Sequence, residues 1–308
     1  MKVLKQSVEI KKREAEEKKQ EVEVIRTTSL LMYTLKRLSK NHVAILGLGL
    51  IIFVILVAIF APVLAPYHPI KYVNILKSMV PPGKEYPLGS DYLGRDVLAR
   101  IIYGARISLM VGFVAEMVAL SIGIIFGSLA GYYGRWIDQL LMRITDIIYA
   151  FPTVLFAIAI MAVFERPSIT QLFLVLGFLG WTDIARLVRA QFLAIKEREY
   201  TEAARAIGAG DRRIIFRHIL PNCLAPVVVA TTVGIAGNIL SEAWLSFLGL
   251  GAQPPLPSWG LMLNEGQTYL MAGKYWLAVF PGLAIMVTVL GFNLFGYGFR
   301  DAIDPRLR

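Results

Sequence analysis

Apolar residues along this chain come in long blocks separated by polar stretches. Residues 43–65 contain no charged side chain. At 1.5 Å per residue such a block reaches about 34 Å as a helix, enough to cross the hydrocarbon of a bilayer. It is too long, and begins too far from Met1, for a cleaved secretory signal. Pro62, Pro66 and Pro69 mark its end. Five further spans are predicted, at about 107–130, 140–164, 169–189, 222–245 and 275–299. The third carries Arg143 and Asp146 near its start and Pro152 inside; the fourth ends on Asp183, Arg186 and Arg189. The sixth has no charge at all. The expected fold is therefore all-α and integral to the membrane: six transmembrane helices, with a cytoplasmic loop between the fourth and fifth. Gly and Ala scattered through the spans suit close helix packing, and no short-period repeat is visible.

Composition agrees with the pattern. Hydrophobic residues make up 56% of the 308 positions and charged residues 18%, with a mean hydropathy of +0.59. A soluble domain carries nearer a quarter charged residues. The net charge of +10 raises the question of nucleic acid, but no basic stripe with interleaved aromatics stands out. The cations follow the loops instead. Segments 1–42, 131–143, 186–217 and 300–308 hold 24 Lys and Arg, and the alternate segments hold 8. Cytoplasmic loops of membrane proteins are enriched in these residues, so both termini and the 186–221 loop are expected in the cytoplasm. Loops 66–106 and 246–274 are then outside. Residues 1–42 read as a polar cytoplasmic extension, dense in Glu and Lys over 9–23, with Glu9–Arg13 and Glu14–Lys18 at helical spacing. The transmembrane region is 43–308. The lone cysteine, Cys223, can form no internal disulfide and is expected to pack as a small apolar residue.

The most informative stretch is 200–221, YTEAARAIGAGDRRIIFRHILP. It reads as two short helices joined by a turn. The first, around 197–207, carries Ala203, Ala204 and Ala206, which permit close approach of another surface. Gly208 is placed to end it, where a left-handed backbone suits glycine. Asp211 is expected to cap a second helix that sets Ile214, Ile215 and Ile219 against Arg212, Arg213, Arg217 and His218. Pro221 is expected to restrict continuation into the next span. A loop of about 30 residues is long for a helix–helix connection and implies more than connection. Physical reasoning alone leaves two readings: a docking elbow, or an amphipathic segment on the headgroups with snorkelling arginines.

The same stretch resembles the EAA-loop signature of ABC importer permeases, E-A-A-x3-G-x9-I-x-L-P. Glu202, Ala203, Ala204, Gly208, Leu220 and Pro221 match at the required spacing, and His218 stands where that pattern has isoleucine. The form RHILPN is similar to the peptide-importer branch. So are 87–109, PLGSDYLGRDVLARIIYGARISL; 131–152, GYYGRWIDQLLMRITDIIYAFP; 245–260, LSFLGLGAQPPLPSWG; and the ending RDAIDPRLR. Tyr297 departs from the acidic residue expected before that ending. The resemblance runs from about residue 35 to 308 and identifies a member of the dipeptide/oligopeptide (nickel) permease family. It implies that 190–221 forms a coupling helix seated in a cytosolic ATPase, with Asp211, Arg212, Ile215 and Arg217 facing the cleft. It also implies the partners: a second homologous permease, two cytosolic ATP-binding subunits and an extracytoplasmic substrate-binding protein, all at the plasma (inner) membrane. Relatives of this kind also handle nickel chelates, glutathione or oligosaccharides.

No catalytic machinery is visible. There is no phosphate-binding G-x4-G-K-[ST] loop, no nucleophile elbow, and no metal-ligand spacing among His42, His68 and His218. The chain is expected to be neither an enzyme nor a holder of metal or cofactor. Polar groups inside spans are costly and therefore informative. Glu116, Asn238, Glu242 and Asn293 are the candidate passage-lining residues, with Asn238 and Glu242 four apart on one helix face. The alternative for Glu242 is inter-helix hydrogen bonding. Arg143–Asp146 is expected to be an ion pair at the membrane edge. A different class, an ion-coupled secondary transporter working through Glu116, Asp146 or Glu242, would keep transporting after ATP depletion.

Overall fold

The computed structural model describes residues 37–303, and among these every regular element is a helix. Helix α1 (His42–Ile59) opens on Asn41, whose side chain accepts from the amides of Val43 and Ala44. A short helix α2 (Ala61–Leu64) follows, with Pro62 in its first turn. Then come α3 (Val97–Tyr133), α4 (Arg135–Tyr149), α5 (Thr153–Met161), α6 (Ile169–Lys196) and α7 (Glu199–Ala206). Helix α8 (Asp211–Phe247) is followed by α9 (Trp259–Gln267) and α10 (Trp276–Ile303). Five of these, α1, α3, α6, α8 and α10, are long and apolar enough to cross a membrane. Helices α4 and α5 form a sixth span if counted together.

That third span is not straight. Its halves meet at 79°, at the break filled by Ala150–Phe151–Pro152. Proline lacks the amide that would continue the ladder and disfavours helix in the residue before it. Helix α4 is tied to α6 by Asp138, which accepts from both Arg189 Nε (2.5 Å) and Nη2 (2.6 Å). Its exposed residues include Trp136, Leu140 and Ile147. Exposed apolar side chains along a helix are expected where lipid is the solvent. Helix α1 makes the same point, with exposed Val43, Leu46, Phe53 and Ile59 along its length. The expected Arg143–Asp146 pair is not formed. Asp146 takes Arg186 of α6 instead, at 2.7 Å, because α6 runs beside α4 and offers a guanidinium across the helix pair.

The most extensive helix contact joins α3 and α6. Its spine is small residues on α3: a Cβ at Gly127 would stand 2.5 Å from the Ala185 carbonyl oxygen and 2.7 Å from Val188 Cβ. The backbones approach so closely that only glycine fits, the usual way of packing helices where no hydrophobic force drives them together. Helix α10 returns alongside α1, and Gly298 packs on Ala44. Cys223 is buried among Val188, Phe192, Ile219 and Val227, as its small apolar character suggests.

Helix α3 starts ten residues before the predicted span, at Val97, capped by Asp96, which accepts from the Ala99 amide at 2.8 Å. The segment before it is pinned by a buried charge cluster. Asp91 Oδ2 accepts from Arg95 Nε at 2.6 Å and from Arg100 Nη1 at 2.7 Å, and Arg100 Nη1 also donates to Glu265 Oε2 of α9 at 2.6 Å. Trp276 of α10 donates to the Ser90 carbonyl, and Trp259 of α9 to the Ile101 carbonyl. The loop between α2 and α3 is thereby locked onto α9 and α10.

Candidate functional site

At the end of the molecule opposite that cluster, α7 and the first turns of α8 form an elbow. Helix α7 is anchored by Thr201, whose hydroxyl donates to the Ile195 carbonyl at 3.0 Å, and by buried Ala204. Gly208 ends it with φ +85°. The Gly208 amide donates to Arg205 O and the Ala209 amide to Ala204 O, both at 3.0 Å, the paired bonds of a Schellman cap.

Two expectations about the second helix are corrected. Asp211 is not its cap. Gly210 takes that position, and Asp211 lies in the first turn, where Oδ1 accepts from the Tyr132 hydroxyl at 2.7 Å. The carboxylate is drawn to a neighbour on α3 that sequence spacing cannot show. Nor does Pro221 separate the elbow from the fifth span. Residues Ile214–Ile219 form a π-helical turn, and the Leu220 amide reaches back five residues to Ile215 O. The wider turn gives the proline ring room, so α8 runs unbroken from the elbow into the membrane. The second half of the elbow and the fifth span are one continuous helix.

The elbow's outer surface carries exposed Glu202, Ala203, Arg212, Arg213 and Arg217. Ile215 and Leu220 are half-buried and Pro221 is exposed. Two residues were missed: Ile207, 84% exposed, and Phe216, 64% exposed. The departure from amphipathic order at 216 was visible in the sequence, since Phe216 lies between the apolar Ile214–Ile219 face and the arginines. Tyr132 was missed as well. It ties the elbow to α3 through Asp211, and its carbonyl accepts from Lys196 Nζ at 2.6 Å.

The intramembrane polar residues divide into three places. Glu116 and Asn238 meet: Asn238 Nδ2 donates to Glu116 Oε2 at 2.9 Å. Both line a cavity of about 540 Å³ among α3, α6, α8 and α10, together with Asp183, Ser241, Tyr297 and Arg300. Glu242 is 0% exposed and enclosed by this chain, accepting from Ser108 of α3 at 2.9 Å and Ser246 at 2.7 Å. The i, i+4 spacing of Asn238 and Glu242 is realised, with both side chains turned to α3. Only the first borders the cavity. Asn293 is half-buried on α10 and is not among the lining residues. Asp183, exposed on the same wall, accepts from the Tyr149 hydroxyl at 2.8 Å.

Membrane-length helices, a charged cavity among several of them and an elbow at one end fit a membrane transport subunit. Residues 123–308 match the family described as binding-protein-dependent transport system inner membrane component, and residues 29–82 match the N-terminal TM domain of oligopeptide transport permease C. The chain belongs to this family, as a multi-pass inner-membrane permease of the ABC dipeptide/oligopeptide branch. It is 46% identical to the dipeptide transport system permease protein DppC of Alkalihalophilus pseudofirmus over 89% of each chain. It is 42% identical to the glutathione transport system permease protein GsiD of Pectobacterium atrosepticum, over 89% of this chain and 90% of that one. An inward-facing structure of the MetNI methionine ABC transporter shares the fold, with TM-score 0.54 at 18% identity, covering 67% of this chain and 97% of that chain.

Proposed function

We propose that this chain is the pathway-forming subunit of an importer for di- or oligopeptides, and that separate subunits bind and hydrolyse ATP. The observation that carries the coupling is the continuity of α8. A force applied to Arg212, Phe216 or Arg217 at the elbow passes along one helix to Asn238 at the cavity wall. On this reading both termini and the elbow are cytoplasmic, in line with the Lys and Arg bias, and residues 1–42 form a cytoplasmic extension to a permease domain at 43–308. Partners are a second homologous permease, two cytosolic ATP-binding subunits and an extracytoplasmic binding protein. Glu202, Ala203, Ala204, Gly208, Asp211, Arg212, Ile215, Arg217, Leu220 and Pro221 make up the coupling segment. Closure of the ATPase pair draws the two elbows together and opens the cavity outward, and hydrolysis resets it. The two states differ in helix contacts, which is what lets ATP bias them.

The peptide substrate is supported by the identity to DppC along most of both chains. The glutathione reading is favoured by the GsiD relatives, which match over similar lengths. The test is uptake by the full complex in proteoliposomes with its binding protein, ATP inside, and labelled dipeptide, oligopeptide or glutathione outside. ATP-dependent peptide uptake that survives an ionophore supports the proposal. Uptake abolished by the ionophore and indifferent to ATP refutes it in favour of ion coupling.

A further inference from the structure

We infer that Glu116, held by Asn238, is a station in the passage for the ammonium group of the substrate; this rests on the peptide reading above. Glu116 is the only charged residue between positions 107 and 134 and stands near the midpoint of α3, about 28 Å along the helix from Val97. An acid so placed is expensive and needs a partner. It has half of one. Oε2 takes the Asn238 amide, whereas Oε1 is buried with no hydrogen-bond donor, in a side chain only 4% exposed. A structural acid would be expected to satisfy both oxygens, as Glu242 does one turn further along α8 with Ser108 and Ser246.

The surroundings favour a cationic visitor. Glu116 is part of the wall of the 540 Å³ cavity, and a second carboxylate, Asp183, lines the same space. The single guanidinium there, Arg300, is the first cation beyond the uncharged stretch of α10. The cavity therefore offers carboxylates to an ammonium and a guanidinium to a carboxylate. Glycine at 234 keeps the station open: a Cβ there would stand 2.3 Å from Glu116 Oε2. Separation of α3 from α8 during the transport cycle exposes the free oxygen to the cavity. An incoming N–H donor then satisfies a buried acceptor that is otherwise unpaired, which makes the visit favourable without a deep binding well.

The experiment uses the full transporter in proteoliposomes with trialanine and N-acetyl-trialanine, each at a concentration that saturates the binding protein. Glu116→Gln keeps shape and hydrogen-bonding capacity and removes the charge. Wild type is expected to import the free amine faster than the acetylated peptide. Glu116→Gln is expected to lower trialanine uptake about tenfold, narrowing the gap, with the complex still assembled. Glu116→Asp should restore part of the difference. Equal wild-type rates for the two peptides, or an undiminished gap in Glu116→Gln, overturn the inference and leave the peptide reading standing. Lost assembly in both Glu116→Gln and Glu116→Asp overturns it in favour of a packing role. A wild type that imports neither peptide removes the peptide reading, and this inference with it.

Discussion

Replacing Gly208 tests the elbow through backbone conformation alone. Its φ of +85° lies where an L side chain is strained, and a Cβ there would meet nothing within 4 Å. No clash is created, so the whole effect comes from the dihedral. A non-glycine residue in this left-handed region costs about 1–2 kcal/mol, and a branched side chain resists it further. At equilibrium about 1–2 kcal/mol shifts the ratio of capped to uncapped elbow roughly 5- to 30-fold. Once the turn relaxes, the Gly208 and Ala209 amides lose their bonds to Arg205 and Ala204. Helix α7 then swings away from the face that carries Arg212 and Arg217. The spans pack elsewhere, through α3–α6 and α1–α10, so insertion should be unaffected. Gly208→Val is therefore expected in normal amounts in the membrane, with the ATPase retained poorly on purification and uptake reduced at least fivefold. Gly208→Asn should be milder, since asparagine tolerates this conformation. Normal uptake and normal ATPase co-purification in Gly208→Val would refute the docking elbow and favour a segment lying on the headgroups.

Three further outcomes follow from packing and charge. Gly127→Leu forces α3 from α6, an overpacking cost of about 1–3 kcal/mol or more; it should lower the unfolding temperature in detergent, and an unchanged melt would contradict the close approach. Glu265→Ala leaves Arg100 with Asp91 as its one carboxylate partner, so the loss should stay below the roughly 3–5 kcal/mol of a buried charge left unpaired; limited proteolysis should then cut the loop between α2 and α3 faster than in wild type. Burial raises the Asp96 carboxyl above its ordinary 3.8. The folded state thus holds this proton to higher pH than the unfolded chain does, so the contribution of this group to stability falls as pH rises through that interval. Asp96→Asn keeps a capping side chain and should flatten the pH dependence of melting there, whereas an unchanged slope would show that Asp96 does not contribute it.

The spans were legible because uninterrupted apolar runs leave a helix few alternatives in lipid. Their ends were less so. Helix α3 begins at Val97 because Arg100, which reads as a loop cation, is neutralised by Asp91 and Glu265 from outside the helix. Those partners are 9 and 165 positions away, beyond any local pattern. Gly208 was readable because a left-handed cap is a one-residue property. Asp211 was not, since its choice between capping and Tyr132 is settled by a helix 79 positions distant. Pro221 misled for a related reason: helix breaking is the rule in α geometry, and the preceding turn is π. Asn238 and Glu242 share a face, as their spacing requires, yet their functions separate according to what α3 presents opposite each.

The contact between α1 and α10 has a consequence for biosynthesis. Gly47 lies so close to α10 that a Cβ there would stand 2.4 Å from the Phe295 amide nitrogen, and Asn41 Nδ2 donates to the Gly298 carbonyl across 257 positions. At translation rates of about 5–20 residues per second, α1 waits roughly 13–50 seconds in the bilayer before its partner is made. During that interval the groove at Gly47 is covered by lipid or by the insertion machinery, and the bundle stays open on that side. Substitutions at Gly47 or Gly298 should accordingly expose newly made chains to quality-control proteolysis, even when each helix inserts normally.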